Sequence, residues 1–219
     1  MKIKPMIQLA LDDISFASSL RMAVIAGPYA DIIEIGTPLC KFAGVSMISA
    51  VRELLPTTLI LADFKSPDAG GVEAKMAHEH GANFVTVIGS APTATIKSSL
   101  EYTLKNDGID TVMELTGVTD ILGKAALWRE LGVERITYHL GFDEEHYDRK
   151  WEQTDLDIIG KLIDIGYKVT VTGGINYDLL PFFKDYPIAV FICGRSIIRS
   201  EDPEKSIKRL QERVSQIWL

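Results

Sequence analysis

A single (β/α)8 barrel spanning residues 1–219 is the fold this sequence predicts, and three observations predict it. Eight short apolar, β-branched runs recur along the chain, separated by segments with helical periodicity. The runs are apolar almost throughout rather than at every second position, which marks a parallel sheet buried on both faces. Their starts fall roughly 21 to 33 residues apart, about one βα unit each, so eight units fill the 219 residues. A doubly wound open sheet also alternates strand and helix, but it carries a Gly-rich phosphate loop after its first strand. Here that turn reads LALDDIS, without glycine.

In chain order, MIQLALD at 6–12 is the first strand and DIIEIG at 31–36 the second. GVSMISAVRELL at 44–55 then spaces its apolar residues three and four apart, as a helix does. LILADFK at 59–65 is the third strand, GVEAKMAHEH at 71–80 a helix, and FVTVIG at 84–89 the fourth strand. The second half repeats the theme with TVMELTG at 111–117, RITYHLG at 135–141, KVTVTGG at 168–174 and AVFICG at 189–194, each stopped by glycine. DLDIIGKLIDI at 155–165 and the segment 202–218 read as helices. Between them, GFDEEHYDRKWEQTD at 141–155 is polar enough to predict an extended loop, and long loops in compact domains are functional or mobile.

Charge and composition exclude several function classes. Lys plus Arg number 23 against 30 Asp plus Glu, a net charge of −7, so the chain lacks the basic excess that nucleic acid or anionic lipid demands. No apolar run approaches the ~18 residues of a membrane span. The opening MKIKPMIQLALDD passes from two lysines through a short apolar stretch into acid, unlike a signal peptide, so a cytoplasmic location is expected. Cys40 and Cys193 lie in apolar contexts and read as reduced thiols without a partner base, which argues against thiol catalysis.

In such a barrel the C-terminal strand ends form the catalytic face, so polar residues closing apolar strands are the candidates. They are Asp12, Glu34, Asp63, Lys65, Glu114, His139 and Thr172. A charge inside an otherwise buried strand costs several kcal/mol unless paired or metal-bound. Glu34 and Asp63, on adjacent strands, could hold one hard divalent cation, Mg²⁺ being the natural candidate; alternatively one carboxylate pairs with Lys65 and no metal binds. Residues i and i+2 of a strand share a face, which aims Asp63 and Lys65 together at the barrel mouth. A lysine among acids keeps its charge and suits oxyanion stabilisation, whereas a Schiff base needs a depressed pKa. Asp68, before Ala-Gly-Gly, either caps the next helix or serves function.

Thr172-Gly173-Gly174 and Gly194-Arg195-Ser196 close strands seven and eight, where barrels of this type often bind phosphate through backbone N–H groups. Arg195 adds a forked donor, so a small phosphorylated ligand is expected. His139 and Glu114 on neighbouring strands could form a proton-handling pair. His78, His80 and His146 read as structural, and the spacing of the first two puts them on different helix faces.

The series LALD, IIEIGTPL, LADFKSPDAGG, MELTG, YHLGFD, VTVTGGI and FICGRSI resembles the 3-keto-L-gulonate-6-phosphate decarboxylases of the orotidine 5′-phosphate decarboxylase superfamily. The resemblance covers essentially the whole chain, and D-x-K-x-x-D at 63–68 is its most specific part. It implies a carboxy-lyase of L-ascorbate utilisation that yields L-xylulose 5-phosphate and CO₂ through a Mg²⁺-stabilised 1,2-enediolate. Glu34 and Asp63 would hold the metal, Lys65 would hydrogen-bond the enediolate oxygen, and Glu114 with His139 would position a proton-donating water. Asp12, Thr172, Gly173, Gly174, Gly194 and Arg195 would bind substrate and its phosphate. The resemblance also implies a homodimer in which Asp68 serves the partner's site. Glu114 and Thr172 are decarboxylase-like, whereas the sister 3-hexulose-6-phosphate synthases typically carry Asp and Ala there. Phe142 departs from the arginine usual in the decarboxylases, and YHLGFD is closer to the synthase pattern, so aldol addition of formaldehyde to D-ribulose 5-phosphate is the alternative. A ribulose-phosphate 3-epimerase would need two histidines at strand ends where only His139 qualifies. Orotidine 5′-phosphate decarboxylase itself would present a further lysine near strand two, where Glu34 stands. A non-catalytic phosphosugar-binding barrel would leave the charged convergence unexplained.

Overall fold

A computed structural model describes residues 4–219, apart from the side chains of Glu145 and His146. Met1 to Ile3 of the N-terminal stretch, and the structural reading of His146, therefore lie outside the described residues. The eight strands are β1 (Met6–Leu11), β2 (Ile32–Ile35), β3 (Leu59–Ser66), β4 (Phe84–Ile88), β5 (Asp110–Glu114), β6 (Arg135–His139), β7 (Lys168–Thr172) and β8 (Val190–Cys193). All pair in parallel in sequence order, and β8 closes on β1. Around them run α1 (Phe16–Ala26), α2 (Thr37–Ala43), α3 (Ser46–Leu54), α4 (Gly70–Glu79), α5 (Thr93–Thr103) and α6 (Ile121–Glu130). The second half adds α7 (Phe142–His146), α8 (Gln153–Asp164), α9 (Arg195–Ile198) and α10 (Pro203–Trp218). Among the described residues no helix is long and apolar enough to cross a membrane.

Two expectations are corrected. The segment 141–155 is not one extended loop: α7 occupies its start, and α8 begins at Gln153 because Glu152 and Asp155 cap it reciprocally. Several strands also stop before their closing glycines, because the chain turns there into the next helix, as at Gly36 before α2 and Gly194 before α9.

Outward residues such as Leu9, Leu11, Ile33 and Ile35 are fully or almost fully buried beneath the helices. Inside the barrel, Ile32, Leu61, Phe84, Val112 and Val190 form an apolar plug toward the N-terminal ends of the strands. Arg135 packs across this layer, its guanidinium 4.9 Å from the Phe84 ring centre and its Nε donating to Asp110 Oδ2 at 2.8 Å. The interior is thus a packed core at one end, closed by the Arg135–Asp110 pair, while the polar side chains of the candidate site collect at the other.

β3 breaks the regular ladder. Ala62 pairs with Val85 and Ser66 with Val87, so three β3 residues stand against Thr86 alone. Lys65 takes a left-handed conformation (φ 49°), which costs a non-glycine residue about 1 kcal/mol, and its N–H donates to Thr86 Oγ1 at 2.8 Å. Asp63 and Lys65 do converge at the mouth, but through this bulge rather than by strict strand alternation.

Candidate active site

The C-terminal ends of the strands enclose a cavity of about 740 Å³. Asp12, Glu34, Asp63, Lys65, Glu114 and His139 line it from β1, β2, β3, β5 and β6, with Thr172, Gly173, Gly174, Gly194 and Arg195 on the β7–β8 side. Asp68 does not line it; its side chain is exposed and accepts the Ala69 N–H at 2.8 Å. The helix-capping alternative for Asp68 is corrected too. Ala69, at φ 53°, occupies the cap position of α4 without a side-chain cap, because the chain leaves β3 through a left-handed turn.

At the centre Lys65 Nζ donates to Asp63 Oδ2 and stands 3.6 Å from Glu114 Oε2. Asp63 also accepts from Thr37 Oγ1 (2.6 Å) at Oδ2 and from Thr86 Oγ1 (2.8 Å) at Oδ1. Burial works against the charge on Lys65, yet Asp63, Glu114 and Glu34 outweigh it and hold the ammonium above its usual range. A lysine so held is a fixed cation, not an imine-forming amine. Beside it Glu34 is buried and accepts from Gln8 Nε2 at 2.5 Å. Burial, then Asp63 and Asp12, push the Glu34 carboxyl well above the usual carboxylate range. Asp12, at the solvent-accessible rim, is raised in the same direction by surrounding protein and by Asp63.

On the far side, His139 Nδ1 donates to Glu114 Oε1 at 3.2 Å, and Thr116 Oγ1 donates to the same oxygen at 2.9 Å. Burial raises Glu114, but the hydrogen bond and charge of His139, with Lys65 and Thr116, bring it down to about 2. Burial lowers His139, and Glu114 reverses this so that its pKa is raised. The pair is therefore complete from above the ordinary Glu value of 4.5 to below the ordinary His value of 6.5. It is lost as pH rises through the raised His139 value, and lost again as pH falls toward 2. Melting temperatures of wild type and His139→Gln, compared across pH, should differ most inside that window; a pH-independent difference would contradict the pairing.

The β7 and β8 exits lie side by side at the mouth, because the two strands pair directly. Gly173 (φ 112°) and Gly174 (φ 64°) form a left-handed turn, and Asn176 Nδ2 donates back to Gly174 O at 3.1 Å. Arg195 opens α9 at the neighbouring β8 exit, its guanidinium 4.9 Å from the Phe142 ring centre. The glycine backbone and Arg195 thus gather on the β7–β8 side of the cavity, and the carboxylates with Lys65 and His139 on the other strands.

Sequence reasoning missed Gln8, Thr37, Thr86, Thr116, Asn176 and Arg199. Gln8 and Thr86 did leave a signal, each being the one polar residue inside an apolar strand, MIQLAL and FVTVI. Arg199 lies one turn beyond Arg195 and also lines the cavity. Both cysteines are buried and unpaired; burial pushes both thiols up, Cys193 to about 12, so neither supplies a thiolate. His78 meets Tyr102 and His80 meets the Met76 carbonyl, both away from the cavity.

A family model described as orotidine 5′-phosphate decarboxylase / HUMPS family matches residues 5–210. The chain is 37% identical over 214 residues to the 3-keto-L-gulonate-6-phosphate decarboxylase UlaD of Salmonella typhi, covering 98% of each. It superposes on KGPDC from Streptococcus mutans in complex with D-R5P with TM-score 0.96 and 32% identity, over 99% of this chain and 100% of that one. The 3-hexulose-6-phosphate synthase from Salmonella typhimurium superposes with TM-score 0.89 at 27% identity, over 96% and 99%.

Proposed function

The chain belongs to the orotidine 5′-phosphate decarboxylase / HUMPS family, and from that premise we propose that it decarboxylates 3-keto-L-gulonate 6-phosphate to L-xylulose 5-phosphate and CO₂. The observation that carries this reading is Lys65, a fixed ammonium between Asp63 and Glu114, facing a mouth whose opposite side suits a phosphoryl group. When the C–C bond to the carboxylate breaks, its electron pair moves into the neighbouring ketone to give an enediolate. Lys65, already oriented by Asp63 and Thr37, needs no reorganisation to meet that oxyanion. Glu114 stays ionised and fixes the proton on His139, so the two hold a proton donor, a water, over the carbon that receives the proton. Gly173, Gly174, Gly194 and Arg195 bind the phosphate; Asp12 and Thr172 bind substrate at the rim.

The donor set fits Mg²⁺. Glu34 and Asp63 would supply oxygen ligands in a pocket where burial, and then the charges of Asp63 and Asp12, raise the Glu34 pKa, and a hard cation would favour its ionised form. Among the described residues no group of three or more His, Cys, Asp or Glu is arranged to hold a metal, so two carboxylates with water and substrate oxygens is the arrangement proposed. When bound, the ion supplies positive charge to substrate oxygens. A cytoplasmic homodimer is part of the same proposal, Asp68 being exposed outside its own cavity and thereby free to reach a partner's.

The test is CO₂ release from 3-keto-L-gulonate 6-phosphate beside formaldehyde consumption with D-ribulose 5-phosphate, both with Mg²⁺. CO₂ release should predominate, disappear in EDTA and return with Mg²⁺; full activity of Glu34→Gln and Asp63→Asn in EDTA would end the metal assignment. Phe142 supports the second reading, because an apolar ring stacked on Arg195 replaces the cation usual in decarboxylases. Predominant formaldehyde fixation would establish that alternative.

A further inference from the structure

We propose that Trp151 is a positioning residue for the phosphate-holding turn, acting through the Gly173 carbonyl; the inference rests on the phosphorylated-substrate reading above. Trp151 Nε1 donates to Gly173 O at 2.8 Å. The Gly173–Gly174 peptide is trans, and a trans peptide directs its N–H opposite its C=O. Anchoring the Gly173 carbonyl therefore sets the direction of the Gly174 N–H, and Gly174 lines the cavity. Without this bond the peptide plane could rotate, since glycine, here at φ 112° and φ 64°, has no Cβ to restrain its backbone.

The indole is itself held from two sides. Its ring meets Phe183 edge-on at 5.0 Å and Tyr138 at 5.9 Å. Its chain neighbours are gathered by Asp155, only 2% exposed, which accepts from Tyr138 Oη (2.7 Å), Arg149 Nη2 (2.5 Å) and the Glu152 N–H (2.8 Å). Tyr138 immediately precedes His139 on β6. One buried carboxylate thus ties the segment 149–152 to the strand that carries the proton-handling histidine, and that segment in turn holds the turn after β7. None of these residues carries the chemistry; together they determine where the phosphate N–H donors point.

Trp151→Phe keeps the ring and removes the donor. The KM for the phosphorylated substrate should rise about five- to tenfold, the scale of one hydrogen bond, and the inhibition constant of inorganic phosphate should rise with it. kcat should stay within about twofold and the KM of the dephosphorylated keto acid should not move, since neither depends on the turn. A variant that melts lower but keeps its KM and phosphate inhibition would overturn the proposal, as would equal losses on both substrates. If wild type neither distinguishes the phosphorylated substrate nor binds phosphate, the functional reading itself fails and takes this inference with it. Should the variant not fold, the wild-type indole ¹⁵N–¹H spectrum decides. Of three tryptophans, Trp128 and Trp218 are each 2% exposed and hydrogen-bond or pack elsewhere, so phosphate should shift the Trp151 signal while theirs hold. No shifted indole signal would overturn the proposal.

Discussion

Lys65→Ala is expected to lower kcat by roughly 10²- to 10³-fold, about 3–4 kcal/mol of transition-state stabilisation, the scale of losing one preorganised oxyanion contact. The barrel should remain folded. Lys65 is a partly exposed side chain at the mouth, and Asp63 keeps its bonds to Thr37 and Thr86 after the ammonium is gone. The buried carboxylates then respond by binding protons: Glu34, already raised by burial, Asp63 and Asp12, rises further without the one cation that opposes them. The loss should therefore appear in kcat at saturating substrate, with a circular dichroism melt close to wild type. Unchanged kcat would remove Lys65 from the mechanism.

Gly173→Ala is expected to destabilise the fold by about 3 kcal/mol, from overpacking and an unfavourable φ together. A Cβ there would meet Leu140 O at 2.4 Å and Leu140 Cβ at 2.5 Å, and the first of these is backbone that side-chain rotation leaves in place. Its φ of 112° strains any other residue regardless of space. Gly194→Ala is the informative control, because its Cβ would find Asp12 Oδ2 at 3.4 Å and Ala10 Cβ at 3.7 Å, ordinary contacts. Thermal melts should separate the two variants, with Gly173→Ala lowered and Gly194→Ala near wild type, while KM rises in both. Equal melting temperatures would mean that the turn after β7 relaxes away from Leu140.

Those two glycines look alike in the sequence, each following directly on an apolar strand. The difference lies in what β6 places beside one of them. Asp68 is similar: the D-x-K-x-x-D motif is read from three letters, yet two members meet in the cavity and the third stands outside it. Thr116 and Thr37 are ordinary loop and helix-start residues in one dimension, and become the partners that orient Glu114, His139, Asp63 and Lys65 only once the barrel closes.

The fold class, strand order and nearly every charged member of the site were determined by the sequence alone. Alternation of strand and helix is a local periodicity written in consecutive residues, and an ionisable group inside an apolar strand is conspicuous because burial without a partner is so unfavourable. The bulge that aims Lys65, the exclusion of Asp68, the breaking of the 141–155 segment into helices and the Trp151 anchor on Gly173 were decided only by tertiary structure. Each depends on the register between strands or on contacts between segments about 20 residues apart, and closure of the sheet fixes those distances all at once, in no stretch of chain short enough to carry the pattern.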